Sequence, residues 1–258
     1  MSSPAVVALR GVAKAFPSGT RALDGLDLSV RRGEFLSLVG PSGCGKSTAL
    51  RLIAGLSKPS GGTLTWGDGG TGAVPAPGDL GVVFQEPTLM PWATVAGNVR
   101  LPLRLTRRDD ETEARVAAAL ARVGLADFAT AYPRELSGGM KMRVAIARAL
   151  VTDPHLLLMD EPFAALDEIT RFRLDNELLT LWRALGKTVV FVTHSVFEAV
   201  YLSTRVVVMT PRPGRVAADI AIDAPYPRGE TFRTSAEFAG LCRTVGAALA
   251  GAMGESFA

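Results

Sequence analysis

A glycine-rich segment between an apolar run and a helix-forming stretch is the feature that most constrains how this chain can fold. It runs from Gly40 to Ser47, reads GPSGCGKS, and fits the pattern G-x-x-x-x-G-K-[ST]. The apolar run Phe35–Val39 leads directly into it, and a helix-forming sequence begins at Thr48. A strand, a glycine-rich loop and a helix in this order predict an α/β sheet with a phosphate-binding site at the end of the strand.

The residue types of this loop suit phosphate groups. Glycines let backbone N–H groups wrap around phosphates, and the start of the following helix adds a favourable dipole. Lys46 can reach the β- and γ-phosphates of a nucleotide, and the Ser47 hydroxyl can ligate Mg²⁺. The residues of this segment that we predict to bind nucleotide are Gly40, Ser42, Gly43, Cys44, Gly45, Lys46, Ser47 and Thr48.

Further apolar runs predict the rest of the sheet. They are Leu80–Phe84, Leu156–Met159, Thr188–Thr193 and Val206–Met209. Because these runs are apolar throughout rather than alternating, they are typical of strands buried on both faces of a largely parallel sheet.

The remaining segments predict helices and loops. Stretches rich in Ala, Arg and Leu predict helices over Glu111–Val123 and Met140–Val151, and the Gly- and Pro-rich stretch Gly67–Gly78 predicts a surface loop. After Pro213 we expect a short strand and a terminal helix over Ser235–Ala250. The predicted organisation is a single domain, 1–258, with an α/β core in 1–87 and 155–215, a helical subdomain in 88–154 and a short C-terminal extension in 216–258.

Composition narrows the possible classes of protein. The 258 residues are 48% apolar and 21% charged, which suits one large soluble domain. The net charge of +3 comes from 28 basic and 25 acidic residues and does not indicate a partner nucleic acid. The sequence has two distant cysteines, a start without a secretory signal and no long apolar span. These features predict a cytoplasmic chain that reaches a membrane only through a partner.

Two adjacent carboxylates follow the apolar run Leu156–Met159. Asp160 can hold a hydrated Mg²⁺, and Glu161 is placed to orient or deprotonate an attacking water. Acidic pairs also end strands in solvated loops, but beside a phosphate-binding loop we favour the catalytic interpretation.

A second anion-binding helix start is predicted at Leu136–Met140. Ser137 can cap the helix, and Gly138 and Gly139 leave its first amide groups open to an anion. The segments Gly40–Ser47, Leu136–Met140 and Leu156–Glu161, followed by His194, together resemble the nucleotide-binding subunit of ATP-binding cassette (ABC) transporters. This resemblance covers nearly the whole chain, and the combination is more specific than any one motif.

The resemblance implies a fold and an assembly. The fold is α/β, a P-loop NTPase (RecA-like) core with a mostly parallel sheet, an N-terminal antiparallel β part and an inserted helical subdomain. The assembly is a head-to-tail homodimer. Each ATP would lie between the phosphate loop of one copy and Ser137, Gly138 and Gly139 of the other.

The resemblance also implies roles for single residues. Phe16 matches an aromatic residue that stacks on adenine, which we favour over the alternative that it fills the core. Gln85 matches a glutamine that contacts Mg²⁺ and senses the membrane partner, and Asp167 lies in a loop that crosses the dimer interface. The implied catalytic residues are Glu161, His194 (at the γ-phosphate) and Lys46, and the implied Mg²⁺ ligands are Ser47, Gln85 and Asp160. Phe16 and Met140 depart from the commonest family pattern, which has Tyr at the first position and Gln or Glu at the second.

Some segments resemble one group of family members, the bacterial importers for nitrate, sulfonates, taurine and pyrimidine precursors of thiamine. They are Phe84–Trp92, Asp160–Arg171, Glu198–Arg205 and Met209–Arg215. This likeness implies the motor of an importer, working at the cytoplasmic face of the inner membrane with a separate permease and a substrate-binding protein. In that case Met90, Pro91 and Trp92 either help form the groove for a permease helix or form a buried hydrophobic cluster.

Two alternatives remain open. One is the motor of a lipoprotein or peptide exporter, which has the same core motifs. The other is a soluble ABC ATPase that acts on DNA or ribosomes. That class carries a long coiled-coil insertion or two tandem cassettes, whereas only about fifty residues separate Gln85 from Ser137 here.

Overall fold

The structure is a computed structural model and describes residues 5–67, 75–107 and 111–254. Residues 68–74 of the predicted surface loop therefore lie outside the described part. The strands are β1 (Ala5–Ala15), β2 (Arg21–Arg31), β3 (Phe35–Val39), β4 (Gly61–Trp66), β5 (Leu80–Val83), β6 (Leu156–Asp160), β7 (Thr188–Val192), β8 (Arg205–Met209) and β9 (Val216–Ala221). The α-helices are α1 (Lys46–Ile53), α2 (Val95–Leu105), α3 (Thr112–Arg122), α4 (Gly138–Leu150), α5 (Glu168–Leu185), α6 (Val196–Leu202), α7 (Glu230–Arg233) and α8 (Ala236–Met253). Short 3₁₀ turns lie at Ala126–Phe128 and Pro133–Glu135.

The chain divides into two compact units. The first contains Met1–Val74 and Thr188–Ala258, and the second contains Pro75–Lys187. Both units contain fully buried apolar side chains, such as Val39 in the first and Leu158 in the second.

An antiparallel sheet with the order β2-β1-β4 forms one part of the first unit. Buried Val7, Leu9 and Val12 of β1 supply its inner face. The register of β1 against β2 shifts between Leu9 and Val12, where Gly11 has a φ of 56° and donates its N–H to Asp27 Oδ1 at 2.8 Å. This sheet is the N-terminal antiparallel part that the family resemblance implies.

A second sheet of the first unit has the order β7-β3-β8-β9. β3 pairs in parallel with both β7 and β8, and β9 is an antiparallel edge strand. All residues of β3, β7 and β8 are buried, which explains why their sequences are apolar throughout. The predicted strands Phe35–Val39, Thr188–Thr193 and Val206–Met209 are thus confirmed to within one residue.

The C-terminal part of the first unit packs on α6. The rings of Tyr201, Phe232 and Phe238 form a cluster with centroids 5.3 to 6.4 Å apart. The buried guanidinium of Arg228 donates to the carbonyl oxygens of Val200 and Tyr201, both at 2.9 Å, at the end of α6. The extension after β9 therefore belongs to the core of this unit.

The second unit contains a parallel pair of strands and most of the long helices. β5 lies beside β6, with Val83 opposite Met159. α4 packs closely on β5, because a Cβ at Gly81 would lie 2.5 Å from the carbonyl oxygen of Ala149. The helical stretch predicted over Met140–Val151 begins at Gly138, and the side chain of Ser137 caps it, as predicted.

In the part of the chain that the structure describes, no helix combines the length and apolar character needed to cross a membrane.

Candidate nucleotide site

The phosphate loop joins the end of β3 to the start of α1. Gly45 has a φ of 108°, and a Cβ there would lie 2.7 Å from Leu23 Cδ2 and 2.8 Å from the carbonyl oxygen of Ala22. A larger residue would therefore suffer both strain and overlap. No described side chain caps α1 at Gly45, so this helix start offers backbone N–H groups of the kind that bind phosphate.

Lys46 lies across the mouth of this loop. Its ammonium group donates to the carbonyl oxygens of Gly40 at 2.8 Å and Pro41 at 3.2 Å, and only 5% of the residue is exposed. An ammonium group at this position is of the type that contacts the phosphates of a nucleotide. The loop thus fits the phosphate groups of a nucleotide.

His194 and the phosphate loop lie at the same edge of the sheet. β3 and β7 are parallel neighbours with Leu38 opposite Val192, so the segments that follow them emerge side by side. The Thr193 hydroxyl donates to the Glu198 carboxylate and accepts the N–H of Ser195 at 3.0 Å. His194 itself is exposed, between this braced turn and α6.

Phe16 follows β1 directly, in the turn to β2. Its backbone N–H donates to Thr20 O at 2.9 Å, and 39% of the residue is exposed. The ammonium group of Lys14 lies 5.4 Å from the centre of the ring. The ring is therefore not core filling, and it presents surface for stacking.

In the second unit, Gln85, Asp160 and Glu161 lie at the same end of the parallel strands β5 and β6. Asp160 is the last residue of β6, and Gln85 follows the neighbouring parallel strand β5. Glu161 has a φ of 45°, a conformation that costs energy for a residue other than glycine and that is common at functional sites. The carboxylate and amide oxygens of Asp160 and Gln85 are of the ligand type that Mg²⁺ prefers.

Two side chains hold the segment after Gln85. The guanidinium of Arg148 on α4 donates to the carbonyl oxygens of Pro87 and Thr88, both at 2.8 Å, and burial lowers its pKa. Asn98 is fully buried and accepts the N–H of Met90 at 2.7 Å, while its amide donates to the carbonyl of Met90 at 3.2 Å. This segment is thereby fixed to α2 and α4.

The segment Ser137–Gly139 lies beside the segment that contains Asp167. A Cβ at Gly138 would lie 3.4 Å from Leu166 Cδ2, and the Ser137 Oγ accepts the N–H of Met140 at 3.3 Å. Asp167 caps α5 by accepting the Thr170 N–H at 2.9 Å. Hydrogen bonds from the Thr170 side chain and backbone hold the pKa of Asp167 below its usual value.

Several residues that brace these segments have no motif in the sequence. Arg171 donates to the carbonyl oxygens of Phe163 at 3.2 Å and Leu166 at 3.0 Å, which fixes the turn after Glu161. Like Arg148 and Asn98, it acts on backbone carbonyls, and those that Arg148 holds are 60 positions or more away in sequence. A lone Arg or Asn in a helix gives no sequence signal of such a role.

Comparison with known proteins identifies the family. Residues 23–164, which include the phosphate loop, Ser137 and Glu161, match the family described as ABC transporter. The chain belongs to the ABC transporter family. The resemblance predicted from the motifs is confirmed.

Relatives of this ABC subunit cover most of its length. An ABC transporter ATP-binding protein of Methanocaldococcus jannaschii is 54% identical over 84% of this chain and 80% of its own. An aliphatic sulfonates import ATP-binding protein, SsuB, of Rhodopseudomonas palustris is 47% identical over 90% of this chain and 79% of its own.

A solved structure confirms the fold of this ABC subunit. It is a dimeric ATP-binding cassette in a post-hydrolysis state, bound to ADP and Pi, with a TM-score of 0.74. It is 35% identical, and the alignment covers 85% of this chain and 100% of that one. The chain is therefore an ATP-binding, ATP-hydrolysing subunit of an ABC transporter with an α/β P-loop NTPase fold.

Proposed function

We propose that this chain is the motor of an importer for a small solute of the sulfonate, nitrate or taurine type, or for a pyrimidine precursor. The observation that carries this proposal is the 47% identity to an aliphatic sulfonates import protein along 90% of the chain. The motor would act at the cytoplasmic face of the membrane, with a permease and a substrate-binding protein as partners.

In this proposal, different residues of the chain bind the base, bind the phosphates and activate the water. Phe16 stacks on the base, and the phosphate loop with Lys46 binds the phosphates. The Glu161 carboxylate orients a water molecule and accepts its proton, while His194 contacts the γ-phosphate. Ser47, Gln85 and Asp160 offer hydroxyl, amide and carboxylate oxygens, a donor set that fits Mg²⁺. When bound there, Mg²⁺ would neutralise phosphate charge.

Two copies of the chain would complete each ATP site. Ser137 and Gly138 are exposed at the start of α4, where the helix dipole favours an anion. The related cassette that is bound to ADP and Pi is a dimer, which supports the same assembly here. Asp167 lies next to this helix start, as a residue that crosses a dimer interface should.

A groove in the second unit suits a helix of the permease. Its volume is about 390 Å³, and apolar residues line it beside the guanidinium of Arg148. The apolar lining includes Phe84, Leu101, Pro102 and Leu105. Trp92 is 77% exposed, so the alternative of a buried cluster fails for this residue. Because Arg148 also holds Pro87 and Thr88, a partner in this groove would be coupled directly to the segment of Gln85.

Uptake by cells tests the proposed cargo. Deletion of the gene should abolish uptake of one radiolabelled solute among an alkanesulfonate, taurine, nitrate and a thiamine pyrimidine precursor, and a plasmid copy should restore it. A Glu161→Gln copy should not restore it. Unchanged uptake of all of these solutes in the deletion strain would contradict the importer proposal.

A further inference from the structure

The turn between β8 and β9 packs against the phosphate loop. A Cβ at Gly214 would overlap the carbonyl oxygen of Cys44, so this turn approaches the loop as closely as a glycine allows. Gly214 also donates its N–H to Ala22 O at 2.9 Å and accepts the N–H of Asp24 at 3.3 Å. Thr210 closes the turn, since its hydroxyl accepts the Arg215 N–H at 3.0 Å. The turn is thus held firmly against one side of the phosphate loop.

Arg212, in the middle of this turn, contacts the loop directly. Its Nε donates to the carbonyl oxygen of Gly43 at 3.1 Å. Its Nη2 lies 2.8 Å from the position that a Cβ at Gly43 would take. Among the residues that the structure describes, Arg212 has no carboxylate partner, although its side chain is exposed. Within the described ranges, its side chain therefore contacts the phosphate loop at Gly43.

The contact with Gly43 sets the direction of the next amide group. In a trans peptide the C=O and N–H groups point in opposite directions. Because Arg212 holds the carbonyl of Gly43 on one side, the N–H of Cys44 points to the other, where it donates across the loop to Pro41 O at 3.3 Å. Backbone N–H groups that face the inside of such a loop are the groups that bind phosphate.

We propose that Arg212 is a positioning residue for ATP binding. It fixes the Gly43–Cys44 peptide and so holds the backbone of the phosphate loop in its shape before the nucleotide binds. The proposal rests on the proposed function of Gly40–Ser47 as the ATP site. Arg212 lies in the segment Met209–Arg215, to which the family resemblance assigns no function.

Binding measurements on Arg212→Met test this role. The variant keeps the length of the side chain but removes its donors and charge. We expect its Kd for ATP to rise about tenfold, the effect of losing one charge-assisted hydrogen bond, with kcat at saturating ATP changed by less than about threefold. Adenosine has no phosphates, so its own dissociation constant, obtained by displacement of a fluorescent ATP analogue, should be unchanged. In ¹⁵N spectra without nucleotide, the Cys44 amide signal should shift.

A matched control comes from the same turn. Arg215 is exposed and paired with Asp24, so Arg215→Met removes the same charge without touching the phosphate loop. We expect native ATP affinity for it. The ratio of the Kd values of Arg212→Met and the unmodified protein should persist at 0.5 M KCl, because a held peptide is not screened as distant charges are. A ratio that falls to one at high salt, or an equal loss in Arg215→Met, would overturn the positioning role.

Two further variants distinguish an error in the proposed ATP site from an error in the positioning role of Arg212. Lys46→Ala should lose ATP binding; if it binds ATP normally, the proposed site itself is wrong. If Lys46→Ala loses ATP while Arg212→Met keeps full affinity, only the positioning role of Arg212 is overturned. Should Arg212→Met fail to fold, Arg212→Ala serves in the same assay, since it also removes the donor and the position is exposed.

Discussion

Gly139, in the segment Ser137–Gly139, packs against Thr170 of α5: a Cβ at Gly139 would lie only 2.8 Å from Thr170 Cγ2. The start of α4 and the start of α5 are thus held at the closest approach that their side chains permit. Thr170 also donates its N–H to Asp167, so the same contact joins the two segments expected at a dimer interface. A change at either residue should disturb both segments.

Gly139→Ala should therefore destabilise the protein by about 1–2 kcal/mol, the cost of an extra methyl group in a packed contact. Thr170→Ser removes the Cγ2 atom that the new methyl group would meet, so the double variant Gly139→Ala/Thr170→Ser should recover most of this loss. Urea unfolding of the single and double variants measures the effect. Equal destabilisation with and without Thr170→Ser would show that the contact does not limit this position.

Glu161→Gln should keep ATP binding and lower kcat at least about a hundredfold, because the amide cannot accept a proton from water. ATP should then hold the variant as a stable dimer, which size-exclusion chromatography detects. Glu113→Gln is a control, since this exposed residue of α3 pairs with Arg100 away from the site. Native turnover in Glu161→Gln would remove Glu161 from the role of base.

The pH dependence of stability should show the ion pair of Asp153 and Lys187, whose charged atoms lie 2.7 Å apart. The hydrogen bond from Lys187 lowers the pKa of Asp153 below 3.8. A lowered acid pKa in the folded state stabilises the protein above pH 3.8, and this contribution is lost as the pH falls through the folded-state pKa.

Asp153→Asn should hence lower Tm at pH 7 and have a smaller effect near pH 3. Asn tolerates the φ of 58° at this position, so backbone strain is not added. Thermal unfolding of both proteins across this pH range is the measurement. A difference in Tm that is the same at every pH would exclude the ion pair as its cause.

Arg228→Met should destabilise the protein by about 3 kcal/mol, because it leaves several buried carbonyl oxygens without their donor. These carbonyls belong to Val200, Tyr201, Ser203, Ile222 and Ala224. Arg243→Met, at an exposed position of α8, should change the free energy of unfolding little. Equal urea midpoints for the two variants would contradict this structural role.

The sequence predicted those parts of the fold that local patterns determine. The buried strands β3, β7 and β8 are apolar at every position, and capping residues such as Ser137 mark where helices begin. The bounds of α2 escaped prediction, since Gly97, Asn98 and Pro102 all favour loops, yet tertiary contacts keep this segment helical. The division into a core and a helical subdomain stays a prediction.

The candidate site was predictable where a motif carries the chemistry, as at Lys46 and Glu161. It was not predictable where a side chain acts on a distant backbone group. Arg212 meets Gly43 across 169 positions of sequence and Arg148 meets Thr88 across 60, and nothing local to either residue indicates its partner. Such contacts exist only in the folded chain.

A mixing experiment tests most directly whether two copies share each ATP site. Ser137→Arg blocks one side of the site and Glu161→Gln the other, so each variant alone should be nearly inactive. In a mixed dimer, one site combines the intact Glu161 of the first variant with the intact Ser137 of the second. An equal mixture should regain up to about a quarter of the native ATPase activity. A mixture no more active than the two variants measured separately would contradict the shared site.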